Sequence, residues 1–155
     1  VYLRFGRPKV PNFTPADLPF EIGKALTLRS GSDVTLLATG HLVWPALQAA
    51  EKLAAAGINA EVINIHTIKP FDEEAVLASL QHTGCVVTAE EHQQYGGLGE
   101  LTAGLLAQHL PAPLEMVAVR DSFGESGTPE DLMAKYGLNE EAIVQAAHRV
   151  LSRRG

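Results

Sequence analysis

The residues best suited to chemistry are concentrated in one stretch, from Glu90 to Gly99. Carboxylates beside a histidine can donate and accept protons, and glycines that open a helix can bind an anion through backbone N–H groups. The candidate residues are Glu91, His92, Tyr95, Gly96 and Gly97. No lysine or arginine lies within the stretch, and the spacing of a P-loop or dinucleotide fingerprint is missing. The favoured interpretation is therefore a tight strand-to-helix turn with solvent-facing acids, whose polar side chains contact another domain or subunit.

The other histidines and the single cysteine do not suggest a site. None of these histidines falls in a spacing that would make a metal-binding pair. Cys85 stands in an apolar, strand-like run, which predicts a buried and inert thiol. Because one cysteine cannot form an internal disulfide, a reducing, cytoplasmic location is expected. We therefore expect no metal ligand and no nucleophilic thiol in this chain.

Composition narrows the classes of partner. A chain of 155 residues with 46% apolar and 19% charged residues is typical of one folded globular domain. Its formal net charge of -6 and scattered basic residues argue against a nucleic-acid partner, which requires a basic surface. No apolar run approaches the ~20 residues of a membrane-spanning helix. We expect neither a nucleic-acid nor a membrane partner.

The elements that must position the candidate residues follow a strand–helix alternation. Residues 24–29 and 34–39 read as two strands joined by a short turn, which predicts an antiparallel hairpin. Later strands are predicted at 60–65, 84–89 and 114–119, and helices at 42–56, 72–81, 98–109, 129–136 and 139–153. Alternation of this kind favours parallel pairing. The predicted fold is α/β, a three-layer α/β/α sandwich of about five strands, with a mostly parallel sheet and one antiparallel edge hairpin.

Three polar segments follow predicted strands and should meet. They are residues 39–42, 90–99 and 120–127. Ligands and partners of an open parallel sheet bind beyond the carboxyl ends of its strands. We therefore expect these segments to gather on one edge of the domain.

The first residues differ from the rest of the chain. Residues 1–7 read as the tail of a strand, and four prolines between Gly6 and Pro19 indicate an extended linker that cannot continue as a helix. We place a domain boundary here: residues 1–19 form the end of a preceding domain and a Pro-rich linker, and residues 20–155 form the folded domain.

Five segments in this order closely resemble the C-terminal domain of transketolase, a thiamine diphosphate-dependent enzyme family. They are Asp33–Gly40, Ile68–Asp72, Glu90–Gly99, Asp121–Gly127 and Lys135–Leu138. The resemblance implies the α/β fold predicted above, with residues 1–19 ending a pyrimidine-binding domain. It also implies a dimeric enzyme of the pentose phosphate pathway, which transfers two-carbon ketol units between sugar phosphates using thiamine diphosphate and magnesium.

The same resemblance implies that this chain supports assembly rather than chemistry. The family binds its cofactor through a Gly-Asp-Gly motif and activates it with a glutamate of the pyrimidine-binding domain, and neither is in this sequence. We expect no catalytic residue and no cofactor in this chain, which alone should be inactive. Its partners would be the remaining domains or a partner subunit of a homodimeric parent enzyme.

One arginine is a candidate for substrate binding. By position in the resemblance, Arg4 matches the arginine that binds the sugar phosphate, with Arg7 as the second candidate. A guanidinium forms paired hydrogen bonds with phosphate oxygens and keeps its charge. The alternative is an arginine on a solvated strand end.

Two other functions remain open at this stage. Deoxyxylulose-phosphate synthase and the β subunit of 2-oxoacid dehydrogenases share this type of C-terminal domain. A free-standing regulatory module that binds a small molecule is the alternative from another class.

Overall fold

The computed structural model describes residues 1–6 and 9–154. The strands are Leu26–Arg29 (β1), Val34–Ala38 (β2), Ala60–Asn64 (β3), Val86–Gln93 (β4) and Leu114–Val119 (β5). The helices are Val43–Ala55 (α1), Glu73–Thr83 (α2), Leu98–His109 (α3), Pro129–Lys135 (α4) and Glu140–Leu151 (α5). A short 3-10 turn at Gly40–Leu42 precedes α1.

One mixed sheet carries the fold, in the order β1-β3-β2-β4-β5. Strands β2, β3, β4 and β5 pair in parallel, whereas β1 pairs antiparallel with β3 at the edge. The predicted α/β class, with five strands and one antiparallel edge, is confirmed.

The predicted hairpin partner of β1 is wrong. Strands β1 and β2 are consecutive in the chain, but β3 lies between them. All five residues of β2 are buried, and both of its edges are paired with parallel neighbours. The outer edge of β3 is therefore the edge on which β1 pairs.

Apolar side chains fill the space on both faces of the sheet. Leu36 and Ala38 of β2 pack in a cluster with α1 and α5. The intervening Leu37 packs in a second cluster with α2 and α3, since alternate strand residues point to opposite faces. Three layers result, as predicted. Cys85 lies in the first cluster with 0% exposure, and burial raises the pKa of its thiol, as expected for an inert cysteine.

Side-chain caps begin three of the helices where the sequence predicted them. Asp72, Thr128 and Asn139 each accept a hydrogen bond from a backbone N–H of the first turn. Asp72 also accepts from the backbone N–H of Ala25, at 2.8 Å, which ties the entry to β1 to the start of α2. Within residues 1–6 and 9–154, every helix is too short or too polar to cross a membrane.

Candidate functional site

Three loops meet at the carboxyl edge of the sheet, and we call residues 39–42, 90–99 and 120–127 the rim. The backbone N–H of Thr39 donates to the carbonyl of Ala89 at 3.1 Å. On the other side, Gln93 Nε2 donates to the carbonyl of Ser122 at 2.7 Å. The segments that the sequence expected to gather therefore lie together.

Glu90 is a structural residue of the rim. Its side chain is buried, with Oε2 accepting from the N–H of Leu98 at 2.7 Å and Oε1 from the N–H of Gly99 at 2.8 Å. Two of the free N–H groups at the start of α3 are thereby satisfied. The expectation that the acids of this loop face solvent is wrong for Glu90, because the helix start requires an acceptor.

The glycine pair is shaped by this cap. Gly96 has a φ of +73°, a left-handed conformation that glycine adopts without strain. Gly97 has an extended backbone, but a Cβ there would overlap the carboxylate of Glu90. Because Glu90 already supplies negative charge at the first turn of α3, this turn is a poor site for an external anion. The arrangement agrees with the favoured interpretation of a tight strand-to-helix turn.

Glu91 forms a contact that the sequence did not reveal. His41 Nδ1–H donates to Glu91 Oε2 at 2.8 Å, and the histidine side chain is only 19% exposed. Sequence reasoning assigned His41 no role, since the two residues are 50 positions apart. The strand order could have indicated this contact. His41 follows β2, Glu91 lies near the end of β4, and these two strands are neighbours in the sheet.

The N-terminal segment brings a cation to the rim. Arg4 Nη2 donates to the backbone carbonyl of Glu91 at 3.0 Å. Two residues later, Gly6 lies so close to His41 that a Cβ would overlap the imidazole ring. The loop 90–99 contains no basic residue of its own, but the fold places the Arg4 guanidinium against it. Arg7, the second candidate, lies outside the described residues.

The remaining candidates, His92 and Tyr95, point outward. His92 is exposed, and its Nδ1–H donates to the carbonyl of Gln93 at 2.8 Å. Tyr95 is 59% exposed. Phe123, on the neighbouring loop, is 99% exposed, and the hydroxyl of Tyr136 donates to its carbonyl at 3.1 Å. Two large aromatic side chains on one polar rim are typical of a surface that contacts a protein partner.

A second hydrogen bond of Tyr136 helps to hold this loop. Its hydroxyl lies 3.0 Å from Glu125 Oε1, and Lys135 Nζ lies 2.7 Å from the same carboxylate oxygen. These contacts, first the one with Lys135, lower the pKa of Glu125. The predicted Asp121–Gly127 and Lys135–Leu138 segments are thus in direct contact.

Acid–base groups on the rim do not form a metal site. Among the described residues there is no group of three or more His, Cys, Asp or Glu side chains that could hold a metal ion. The arrangement at Arg4 is different, since a guanidinium held by one N–H group retains other donors for an anion. Arg4 therefore adds an oriented cation to the outward-facing polar and aromatic surface of the rim.

The sheet order and the segments at its carboxyl edge define an α/β domain of the transketolase class. The chain belongs to the family described as "Transketolase, C-terminal domain", whose model matches residues 23–143. A curated relative, the 6-deoxy-6-sulfo-D-fructose transketolase subunit SqwH of Clostridium sp. (strain MSTE9), is 51% identical over 99% of this chain and 48% of its own length.

Two further comparisons bear on the kind of enzyme. The chain is similar to a solved structure described as a split-gene transketolase in an inactive beta4 tetramer, with a TM-score of 0.92, 42% identity and coverage of 96% of this chain and 49% of that one. A 1-deoxy-D-xylulose-5-phosphate synthase of Synechococcus sp. (strain JA-2-3B'a(2-13)) is 44% identical over 82% of this chain and 20% of its own length. The chain thus spans about half the length of the Clostridium subunit and of the split-gene transketolase structure.

Proposed function

We propose that this chain is the C-terminal part of a split-type transketolase subunit, in an enzyme that transfers two-carbon ketol units between sugar phosphates. The observation that carries the proposal is the 51% identity with a transketolase subunit across 99% of the chain. The 0.92 TM-score with a split-gene transketolase supports the same architecture. Residues 1–19 would be the end of the pyrimidine-binding domain and a linker. The enzyme would act in the cytoplasm, in the pentose phosphate pathway.

The test is reconstitution of the intact enzyme from the full-length subunit that contains this chain and its companion subunit. With thiamine diphosphate and magnesium, the mixture should transfer a two-carbon unit from a ketose phosphate to an aldose phosphate. Mass spectrometry of the sugar products measures the transfer. Transfer by the complex, with no transfer by either subunit alone, supports the proposal. If the complex leaves the sugars unchanged, the proposal is contradicted.

Thiamine diphosphate and magnesium are proposed to bind outside this chain. The support is the missing Gly-Asp-Gly motif in the sequence and, in residues 1–6 and 9–154, the lack of an acidic or histidine cluster suited to a metal ion. Isothermal titration of the chain alone with cofactor and magnesium should give no binding heat. A stoichiometric heat with micromolar affinity would place the cofactor site here instead.

Arg4 is proposed to bind the phosphate of the sugar. Its hydrogen bond to the carbonyl of Glu91 leaves further N–H donors of the guanidinium for phosphate oxygens. In the intact enzyme, Arg4→Ala should raise the KM for phosphorylated sugars by the loss of about 1.5–3 kcal/mol, the usual worth of a hydrogen bond to a charged group. Unphosphorylated acceptors should change little. Lys9→Ala removes an exposed charge from the same segment and is the matched control.

The rim is proposed to contact the remaining domains or the partner subunit, in a parent enzyme that contains two copies of this subunit. The support is the exposure of His92 and Tyr95 on one loop of the rim and of Phe123 on another. Glu90 occupies the first turn of α3, and this favours a role in assembly over anion binding there.

A deoxyxylulose-phosphate synthase is the second candidate, because one such enzyme is 44% identical over 82% of this chain. The two candidates differ in their donor substrate. The reconstituted enzyme should be assayed with pyruvate and an aldose phosphate, with carbon dioxide release as the readout. Release at a rate comparable to ketol transfer would favour the synthase.

A further inference from the structure

We propose that His41 and Glu91 are positioning residues that orient Arg4 toward the terminal anionic group of the sugar. The inference rests on the proposed substrate-binding role of Arg4. It gives this domain a part in substrate affinity as well as in assembly. Neither residue needs to touch the sugar, because both would act through the guanidinium.

A hydrogen bond to the rim holds Arg4. Its Nη2 donates to the carbonyl of Glu91 at 3.0 Å, although the arginine itself is exposed. A long exposed side chain otherwise samples many rotamers, and a fixed guanidinium loses less freedom when it binds an oxyanion. Nη2 carries two N–H groups, so anchoring through one of them leaves the other, together with the N–H groups of Nη1 and Nε, for an oxyanion.

The accepting carbonyl, that of Glu91, is itself held in place. The carboxylate of Glu91 accepts from His41 Nδ1 at 2.8 Å. The preceding residue, Glu90, is buried and bonded to the first turn of α3. The residue that carries the accepting carbonyl is therefore held through its own side chain by the imidazole, and through the residue before it by the start of a helix.

His41 also contacts the N-terminal segment that carries Arg4. Gly6 lies against the imidazole so closely that no Cβ fits between them. The ring is 19% exposed and belongs to the 3-10 turn that follows β2. His41 thus contacts Glu91, whose carbonyl accepts from Arg4, and also Gly6, two positions after Arg4.

The experiment is a double-mutant cycle in the reconstituted full-length enzyme. His41→Ala should raise the KM for an acceptor with a terminal phosphate about tenfold, with kcat nearly unchanged, because ground-state and transition-state binding of the anion weaken together. The KM for glycolaldehyde, which lacks the anion, should stay the same. His41→Asn retains a donor near the position of Nδ1 and should recover most of the affinity. His82→Ala removes an exposed histidine from α2 and is the control.

The cycle separates positioning from general damage. In an Arg4→Ala background, the added effect of His41→Ala on the KM should disappear, since the two residues act as one unit. Additive effects, or equal losses with glycolaldehyde, would overturn the positioning role while leaving the substrate role of Arg4 intact. If Arg4→Ala alone leaves the KM unchanged, the proposed function of Arg4 fails first. If His41→Ala does not fold, Glu91→Ala carries the same comparison, because it removes the acceptor of His41 Nδ1 and keeps the backbone carbonyl that accepts from Arg4.

The terminal anion can be a phosphate or a sulfonate, which share the tetrahedral oxyanion that a guanidinium recognises. One relative is a transketolase subunit for 6-deoxy-6-sulfo-D-fructose. The cycle is therefore run with a phosphorylated and with a sulfonated sugar. A rise in KM for the anionic sugar that the enzyme uses supports the proposal, and no rise with either sugar overturns it.

Discussion

Individual residues at the carboxyl edge of the sheet divide into those that build the turn and those that face outward. Glu90 is 2% exposed and caps α3, although it is adjacent to the half-exposed Glu91 in sequence. Adjacent strand residues point to opposite sides, which explains how two like carboxylates come to have different roles. His92 and Tyr95 face solvent and leave the turn intact.

A steric prediction follows at Gly97. Gly97→Ala should lower the free energy of unfolding by about 1–3 kcal/mol, because the new methyl group displaces a buried carboxylate held by two hydrogen bonds. Gly104→Ala in α3 is the matched control, since a Cβ there meets no atom within 4 Å. It should raise stability by up to about 1 kcal/mol through helix propensity. Urea unfolding measures both, and equal effects would contradict the structural role of Glu90.

At the scale of elements, the caps connect neighbouring parts of the fold as well as ending helices. Asp72 is 8% exposed and bonds both Ala75, in α2, and Ala25, at the entry to β1. Among the described residues, the side chain of Asn139 bonds only Ala142, in its own helix, α5. A cap that serves two elements should therefore contribute more to stability than a cap that serves one.

Alanine substitutions at these two caps test the difference. Asn139→Ala should cost about 1 kcal/mol of unfolding free energy, the usual loss for an N-cap. Asp72→Ala should cost more, about 1–3 kcal/mol, because a partly buried N–H of Ala25 also loses its acceptor. Denaturant unfolding of the two variants is the measurement. A smaller loss at Asp72 than at Asn139 would show that the bond to Ala25 does not matter.

At the scale of the whole molecule, the outward-facing side chains of the rim lie apart from the apolar core. The two core clusters on the faces of the sheet do not include His92, Tyr95 or Phe123. Substitutions of these outward-facing residues should therefore weaken association with other domains or subunits and leave the fold of the chain itself unchanged.

The double variant His92→Ala, Tyr95→Ala tests the proposed assembly role. The free energy of unfolding of the double variant should lie within about 0.5 kcal/mol of that of the unchanged chain, as is usual for surface positions. The intact enzyme should dissociate at higher protein concentration, because a polar and an aromatic contact are lost at the interface. Thermal melting tests the first half and sedimentation velocity the second. An equally tight dimer, together with saturable binding of a phosphate ligand at the rim, would favour the regulatory module instead.

Much of the fold could be predicted because it depends on neighbouring residues. Helix α3 and strand β5 have the bounds expected from the sequence, and the helices capped by Asp72, Thr128 and Asn139 begin within one residue of their predicted starts. Periodicity, caps and turn residues act within a few positions of each other, so a single sequence carries them. The family was also readable, since its motifs are short segments in a fixed order.

Only the tertiary structure decided which distant residues meet. The partner of β1 is β3 rather than β2, because both edges of the buried β2 are taken by parallel strands. The contacts of Glu91 with His41 and Arg4 join residues 50 and 87 positions apart. Such pairs depend on strand order and on the path of the N-terminal segment, which no local pattern specifies. The sequence alone therefore determined the elements and the family, while the arrangement at the rim required the packed sheet.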